Sequence, residues 1–351
     1  MKIALIHYKL VKKGGLETRL LNYIDQFVAL GNEVSVFSVR IDSSIKLPPD
    51  VEIIKVKLGI VPNPFRKWYF NVKLGRIIRK QKFDFSLSLG RTSHQDAVLA
   101  PSNHLGYLKA LGIERKGLLD YLQIYLDKKS YQKSKIVYAA SSMMKEELIK
   151  LYGIDSAKIK VLYPPLDSLK FRRCSQQQSL DFKKKFGINP NKKSFVFVTT
   201  NMHLKGIGLL EDVFSKLDPN LFELFIAGKT TLSSRHENIK FLGYVGNIHE
   251  LYAACDYLIH PSKFDGFGQI VSEALQSGLP VIISDKTGAK EIITAQLGIV
   301  VNGFDAEVWR ELILNIGNHQ FNIPTNFAEV QGLSVNQHTA KMLQLWEDIS
   351  Q

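Results

Sequence analysis

The chain has 351 residues, 45% of them hydrophobic and 23% charged, which is about twice a typical domain length and apolar enough for two cores. Disordered, collagen-like and disulfide-scaffold classes are excluded, and the two cysteines, Cys174 and Cys255, fit no zinc or CxxC spacing. The net charge of +13 is uneven: residues 1–160 hold 28 Lys and Arg against 14 Asp and Glu, and residues 161–351 hold 18 against 19. That asymmetry directs the first half at something anionic, or merely aids solubility. Two cysteines so far apart in sequence suggest a reducing compartment, expected to be the cytoplasm. The opening run MKIALIHYKLVKKGG reads as a buried strand rather than a signal peptide. No stretch approaches the roughly 20 apolar residues that span a bilayer.

In chain order, Lys2 to His7 reads as a strand, and Leu16, Leu20, Leu21, Ile24, Phe27 and Val28 recur at helical spacing before Gly31. Strands are expected at Glu33–Val39, Val51–Val56, Phe83–Leu89, Ala97–Ala100 and Ile136–Ala140, with helices near 117–130 and 142–152. The pattern lapses over 167–193, which is polar and rich in turn formers and is expected to be the linker. A second alternation follows over 194–334. Its expected strands are Phe195–Thr199, Leu221–Ala227, Tyr257–His260, Val281–Ser284 and Gly298–Val301, and its expected helices are near 207–217, 247–254, 269–277 and 289–295. A last helix at 335–351, anchored by Leu343 and Trp346, is expected to return to the first domain, residues 1–166. The predicted class is α/β, two doubly wound, Rossmann-like domains facing across a cleft.

Three segments carry the chemistry. Gly14-Gly15-Leu16-Glu17 opens a helix directly after the first strand, a turn that either admits a phosphate or simply links strand to helix. It is not GxGxxG, which disfavours a nicotinamide-binding domain. Lys205-Gly206 precedes a helix after the first strand of domain two, where a lysine can reach a diphosphate or be an ordinary surface residue. The strongest segment runs from His260-Pro261-Ser262-Lys263-Phe264-Asp265 through Gly266-Phe267-Gly268-Gln269-Ile270 to Glu273-Ala274. Its glycines let several N–H groups point at one anion, and Asp265 and Glu273 bracket the turn, as carboxylates that accept bonds from paired sugar hydroxyls must.

This segment resembles the signature of nucleotide-sugar-dependent glycosyltransferases of the GT-B fold, family 4 (group 1), including lipopolysaccharide-core glucosyltransferases. The frame P-S-x-x-E-G-F-G-x-x-x-x-E-A is kept, with Asp265 in place of the first Glu. The turn at Gly14 and Gly15, the run Phe241-Leu242-Gly243-Tyr244-Val245 and the stretch Tyr163-Pro164-Pro165 also resemble family motifs. The resemblance implies that Glu273 binds the nucleotide ribose and that Asp265 meets the donor sugar. It implies that Phe267, Gly268, Gln269 and Ile270 hold sugar and phosphate through their backbone, and that Lys205 binds phosphate. Thr200 stands where the family commonly has an arginine, and Gly243 and Tyr244 correspond to positions at the nucleobase edge. His104, where the family often has a cleft histidine, is a catalytic candidate or a structural residue. His260 is packed or near the donor, and His7 follows the first strand.

The implied activity is a retaining, metal-independent hexosyltransferase. It would use a nucleotide-diphosphate sugar, UDP-glucose-like, and a lipid-linked or glycan acceptor in cell-surface polysaccharide or lipopolysaccharide synthesis. No metal ligand set is recognised and no cofactor beyond the donor is expected. The rivals are a nucleotide-sugar epimerase of the same fold and a two-lobed binding protein. A nucleic-acid partner is disfavoured because no recognised module appears. Finally, Arg66 to Lys82 holds seven basic residues and no acidic one, with Phe70, Leu74, Ile77 and Ile78 at helical spacing. It reads either as an amphipathic helix lying on an anionic membrane, which would make the protein peripheral on the inner face, or as a packed helix with a solvated basic face.

Overall fold

The computed structural model describes residues 1–12, 14–229, 233 and 236–350. It divides into two compact units, Met1–Pro165 with Val335–Gln351, and Leu166–Ser334.

The first unit contains β1 (Lys2–Ile6), β2 (Lys9–Leu10), α1 (Gly15–Ala29), β3 (Glu33–Ser38), β4 (Arg40–Ile41), β5 (Glu52–Lys55) and α2 (Arg66–Ile78). It continues with β6 (Phe85–Ser88), β7 (Ala97–Ala100), α3 (His104–Ala110), α4 (Leu118–Lys133), β8 (Ile136–Ala139), α5 (Ser142–Tyr152) and β9 (Ile159–Val161). Seven strands form one parallel sheet in the order β5-β3-β1-β6-β7-β8-β9, and β2 pairs with β4. Alternation in β1 explains the layering. Ile3 and Leu5 pack with Leu20, Tyr23, Ile24 and Phe27 of α1 on one face. Ala4 and Ile6 pack with Phe70, Leu74 and Ile78 of α2 on the other.

The second unit contains α6 (Gln176–Phe186), β10 (Lys193–Val198), α7 (Ile207–Ser215), β11 (Phe222–Ala227), β12 (Ile239–Gly243), α8 (Ile248–Ala254) and β13 (Tyr257–His260). After these come α9 (Gln269–Gln276), β14 (Val281–Ser284), β15 (Gly298–Val301), α10 (Ala306–Leu314) and α11 (Phe327–Val330). Its six strands are parallel in the order β12-β11-β10-β13-β14-β15. Phe195 and Phe197 of β10 meet Phe214 of α7 and Trp309 and Ile313 of α10 in its core.

Helix α12 (Val335–Ser350) rejoins the first unit. Burial, then the charge of Arg19, pushes the pKa of His338 down to about 3, so its ring is neutral. Nδ1 must therefore donate to the Tyr163 carbonyl at 2.8 Å, and Nε2 accepts from the Tyr23 hydroxyl at 2.7 Å. Trp346 packs on Phe85 with ring centroids 5.3 Å apart.

Two expectations differ from the structure, and one choice left open by the sequence is narrowed. Residues 176–186, assigned to the linker, form a helix of the second unit with a Ser175–Gln178 capping box and Gly187 as its left-handed end. Polar contacts hold it: Ser179 Oγ donates to the Ala253 carbonyl at 2.8 Å, and Lys183 pairs with Asp256 at 3.2 Å. Its weak apolar stripe hid it. The helix expected near 289–295 is a short 3-10 turn, Gly288–Ile292. The apolar stripe of α2 faces the sheet rather than an open surface, because Phe70, Leu74 and Ile78 are core residues. Only Phe65 and Trp68 remain exposed at its leading end, beside its basic face. Among the described residues no helix is long and apolar enough to cross a membrane.

Candidate functional site

In the six-stranded sheet the order reverses between β10 and β13, which lie side by side with Phe195 opposite Tyr257 and Val196 opposite Leu258. The chain leaves their carboxyl ends toward opposite edges, the place where open parallel sheets bind ligands. Lys205 follows β10 and the Pro261–Gly268 loop follows β13, so topology brings together motifs 60 residues apart.

Two glycines permit the approach. Gly206 caps α7 at φ +89°, and a Cβ there would overlap the Pro261 carbonyl. Gly268 caps α9 at φ +86°, and a Cβ there would come within 2.7 Å of Thr287 Cγ2. The loop is fixed from behind by β14 and its turn. Asp265 N–H donates to the Lys286 carbonyl at 3.0 Å, Gly288 N–H donates to the Asp265 carbonyl at 2.9 Å, and Ser284 Oγ donates to the Ser262 carbonyl at 2.5 Å.

At its centre Lys205 Nζ lies 2.5 Å from Asp265 Oδ2 and donates to the Phe264 carbonyl at 3.1 Å. His260 Nε2 is 3.1 Å from the same carboxylate oxygen. Burial pushes the Asp265 pKa up, but the Lys205 charge and then the His260 bond outweigh it and hold the carboxyl well below the ordinary range. Burial and the Lys205 charge keep His260 neutral, so its Nε2 carries the proton toward Asp265. Its Nδ1 is buried without a partner among the described residues.

Glu273, one turn into α9, has a different environment. Its carboxylate accepts from the Tyr252 hydroxyl of α8 at 3.3 Å. Burial raises its pKa to about 7, against the opposing pull of Lys170 and Tyr252. A carboxylate so poised is short of hydrogen-bond donors, which a diol would supply.

The remaining predicted positions are spread more widely. Phe267 is buried and its carbonyl accepts from Ala289 N–H at 2.6 Å, while Gln269 and Ile270 form the first turn of α9. Thr200 is exposed two residues beyond β10. Gly243 ends the edge strand β12, its carbonyl accepting from Gly228 N–H at 2.8 Å, and Tyr244 beside it is exposed. In the first unit, Gly14 and Gly15 open α1 as read from the sequence. His104 starts α3 on an Asn103 cap. Its backbone N–H donates to Asp127 at 3.0 Å, and its Nε2 lies 2.8 Å from Asp120. No local pattern marks Tyr252 or Lys170 as partners of Glu273. Tyr252 lies in the Leu251–Asp256 stretch ahead of β13, and nothing in the pattern marks Lys170.

Profiles of two families divide the chain between them. The one described as Glycosyltransferase Family 4 matches residues 13–168, and the one described as Glycosyl transferases group 1 matches residues 178–329. The chain belongs to the family 4, group 1 glycosyltransferases. This glycosyltransferase is 27% identical over 300 residues to a probable transglycosylase of Burkholderia thailandensis, covering 86% of this chain and 82% of the relative. It is 21% identical over 322 residues to the lipopolysaccharide glucosyltransferase WaaG of Escherichia coli, covering 86% and 85%. The crystal structure of WaaG matches it with a TM-score of 0.75 at 19% identity over 97% of this chain and 95% of that one. The UDP-glucose complex of Anabaena HepE matches with 0.73 at 17% over 98% and 99%. Several other curated relatives are matched over only about half of their length. The expected GT-B fold, two Rossmann-like parallel sheets flanked by helices, is borne out.

Proposed function

We propose that this glycosyltransferase moves a hexose from a nucleotide diphosphate, UDP-glucose-like, to a lipid-linked or glycan acceptor in cell-surface polysaccharide or lipopolysaccharide synthesis. The observation that carries the donor half is Lys205 held by Asp265 and Phe264 at the switch point of the second unit. An ammonium has three N–H donors, and two are already used, so the third is aimed before any ligand arrives. Such a fixed charge suits a departing diphosphate, because nothing need reorganise as negative charge develops. Glu273 takes the ribose hydroxyls. The backbone of Phe267, Gly268, Gln269 and Ile270 takes sugar and phosphate, Gly243 and Tyr244 flank the base, and Thr200 leaves a second cationic position unfilled. Asp265 orients Lys205 and meets the donor sugar, and His104 serves on the acceptor side. With no side chain assigned as a covalent nucleophile, attack is expected on the face the diphosphate leaves, its oxygen taking the acceptor proton, with retention and without a metal. Complexes of HepE with UDP-glucose support the donor class, and the name of WaaG supports the acceptor class. A screen of UDP-, GDP- and ADP-hexoses for nucleotide release tests the reading. Release with none of them, in the presence of lipid-linked acceptors, overturns it.

The acceptor side is proposed to sit at the inner face of the membrane, through the basic first unit and the exposed Phe65 and Trp68. Vesicle binding should then rise with anionic lipid and fall with salt. Replacing the exposed Arg76, Arg79 and Lys80 by Gln should weaken it by at most about 3 kcal/mol, roughly 1 per charge. Binding indifferent to lipid charge would refute this placement.

A further inference from the structure

The seven-stranded sheet has a switch point of its own. β1 and β6 are neighbours, and the sheet continues from them in opposite directions, to β3 and to β7. Beyond their carboxyl ends lies a pocket of about 220 Å³ between the turns that follow them and helices α2 and α4. None of the residues assigned to the donor lines it.

Its charges are unevenly satisfied. Arg91 Nε pairs with Asp127 Oδ1 at 2.5 Å, and the other Asp127 oxygen accepts from the Tyr152 hydroxyl at 3.2 Å and the His104 N–H at 3.0 Å. Both oxygens of Asp127 are thereby engaged. Lys67 opens onto the same pocket and has no hydrogen bond or ion pair among the described residues. Although its side chain reaches solvent, partial desolvation at the pocket rim, then the charges of Arg91 and Lys9, pushes its ammonium pKa down, with Asp127 pulling the other way. Among the described residues that line the pocket the cations are Lys67 and Arg91 and the carboxylate is Asp127, so one positive charge is unmatched. His7 on the pocket wall is 8% exposed, and its Nδ1 has no partner among the described residues. Its Nε2 is 3.7 Å from Glu17, too far for a hydrogen bond. Phe70 and Tyr131 supply ring surface alongside.

A lone cation, an unpartnered buried ring nitrogen and aromatic walls in one cavity describe the complement of an acidic sugar. We infer that this pocket seats an acidic group of the acceptor, a phosphate or a carboxylate on a sugar, with Lys67 as its ion-pair partner and His7 Nδ1 meeting a neighbouring hydroxyl. A hydroxyl both donates and accepts, so it satisfies either histidine tautomer. The inference rests on the transferase reading, in which the second unit takes the donor and leaves this pocket to the acceptor.

The test uses the full chain and three probes, mannose 6-phosphate, glucuronate and methyl mannoside, read by ligand-observed NMR, with UDP titrated in parallel. At least one acidic sugar should bind about tenfold more tightly than the neutral one, the worth of one charge-assisted contact. The preferred probe identifies phosphate or carboxylate. Lys67 is exposed on α2, so Lys67→Gln should fold normally, keep its UDP affinity and lose the preference, while Lys67→Arg retains it. Equal binding of acidic and neutral sugars, or a preference that survives Lys67→Gln, overturns the inference. Loss of UDP binding in the unaltered chain with the acidic preference intact would instead sink the donor reading and leave the pocket standing.

Discussion

Lys205 in the six-stranded unit and Lys67 in the seven-stranded unit both stand at the carboxyl ends of a strand pair where the order reverses, but their surroundings are opposite. Lys205 is anchored by a carboxylate and a carbonyl. Among the described residues Lys67 has no hydrogen-bond or ion-pair partner, and Arg91 and Lys9 act on it more than Asp127 does. A pre-held ammonium keeps its position whether or not a ligand is present, which serves charge that appears only during reaction. An unheld one gains its counter-ion from the ligand itself, which serves ground-state binding. On the proposed readings, the same topology serves a catalytic role in one unit and a recognition role in the other.

The largest way to break this comparison is at Glu273. Glu273→Gln should lower kcat/KM at least 10²-fold, since the amide no longer accepts on both sides from a ribose diol. It should simultaneously stabilise the fold above neutrality. The carboxyl pKa is raised to about 7 from its ordinary 4.5, so the folded chain binds that proton more tightly than the unfolded one. Stability from this group therefore falls as pH rises from about 4.5 to about 7, and at pH 8 the penalty that Gln removes is at most about 3 kcal/mol. Thermal melts at pH 5 and pH 8 would show it. Activity within a few-fold of the unaltered chain would remove Glu273 from the donor site.

Next is Lys205→Ala, expected to weaken UDP-glucose binding by about 10- to 100-fold, the range of a charge-assisted bond to phosphate, with uridine binding changed little. Acidic-sugar binding in the first unit should be unmoved. Equal losses for UDP-glucose and uridine would indicate a collapsed loop, because among the described residues the Asp265 carboxylate would keep only His260 as a partner.

The unequal partnering of the two lysines also marks where sequence reading stops. The alternation of buried strands and helices, the turn at Gly14 and the run from Pro261 to Glu273 were legible because each is local, set by period, turn chemistry and spacing. The capping box of α6 is equally local, but its helix is held by Lys183–Asp256 and Ser179–Ala253 rather than an apolar stripe, so composition disguised it. The α2 stripe was legible and its destination was not, since a face that suits a membrane also suits the underside of a sheet. Pairings such as Tyr252–Glu273 and Arg91–Asp127 join residues 21 and 36 apart through tertiary contact, which no periodicity encodes.

A smaller effect, about tenfold, is expected from pH. If ribose hydroxyls donate to the carboxylate form of Glu273, as proposed, UDP-glucose affinity should rise between pH 6 and pH 8 through a midpoint near 7. UDP-glucose is the right probe because its diphosphate carries no proton that titrates in this range. Glu273→Gln should flatten the profile, and acidic-sugar binding at Lys67 should show no midpoint there. A flat profile in the unaltered chain would mean that Glu273 is already ionised.

The smallest expected effect is that of EDTA, less than about twofold on turnover. A divalent ion in nucleotide-sugar chemistry bridges phosphate oxygens and is itself held by carboxylates. In the second unit the carboxylate nearest that role, Asp265, gives one oxygen to both Lys205 and His260, so an ion there would have to displace a cation already in place at 2.5 Å. On the proposed reading Lys205 supplies the charge such an ion would bring, so the metal-free expectation and the anchored-lysine reading stand or fall together. If EDTA abolishes turnover and Mg²⁺ or Mn²⁺ restores it, the diphosphate is neutralised by metal. Lys205 then serves to hold the Pro261–Gly268 loop, and Lys205→Ala should no longer distinguish UDP-glucose from uridine. The contrast with Lys67 would then lose its catalytic half, leaving the first unit's pocket as the site where a lysine meets its ligand directly.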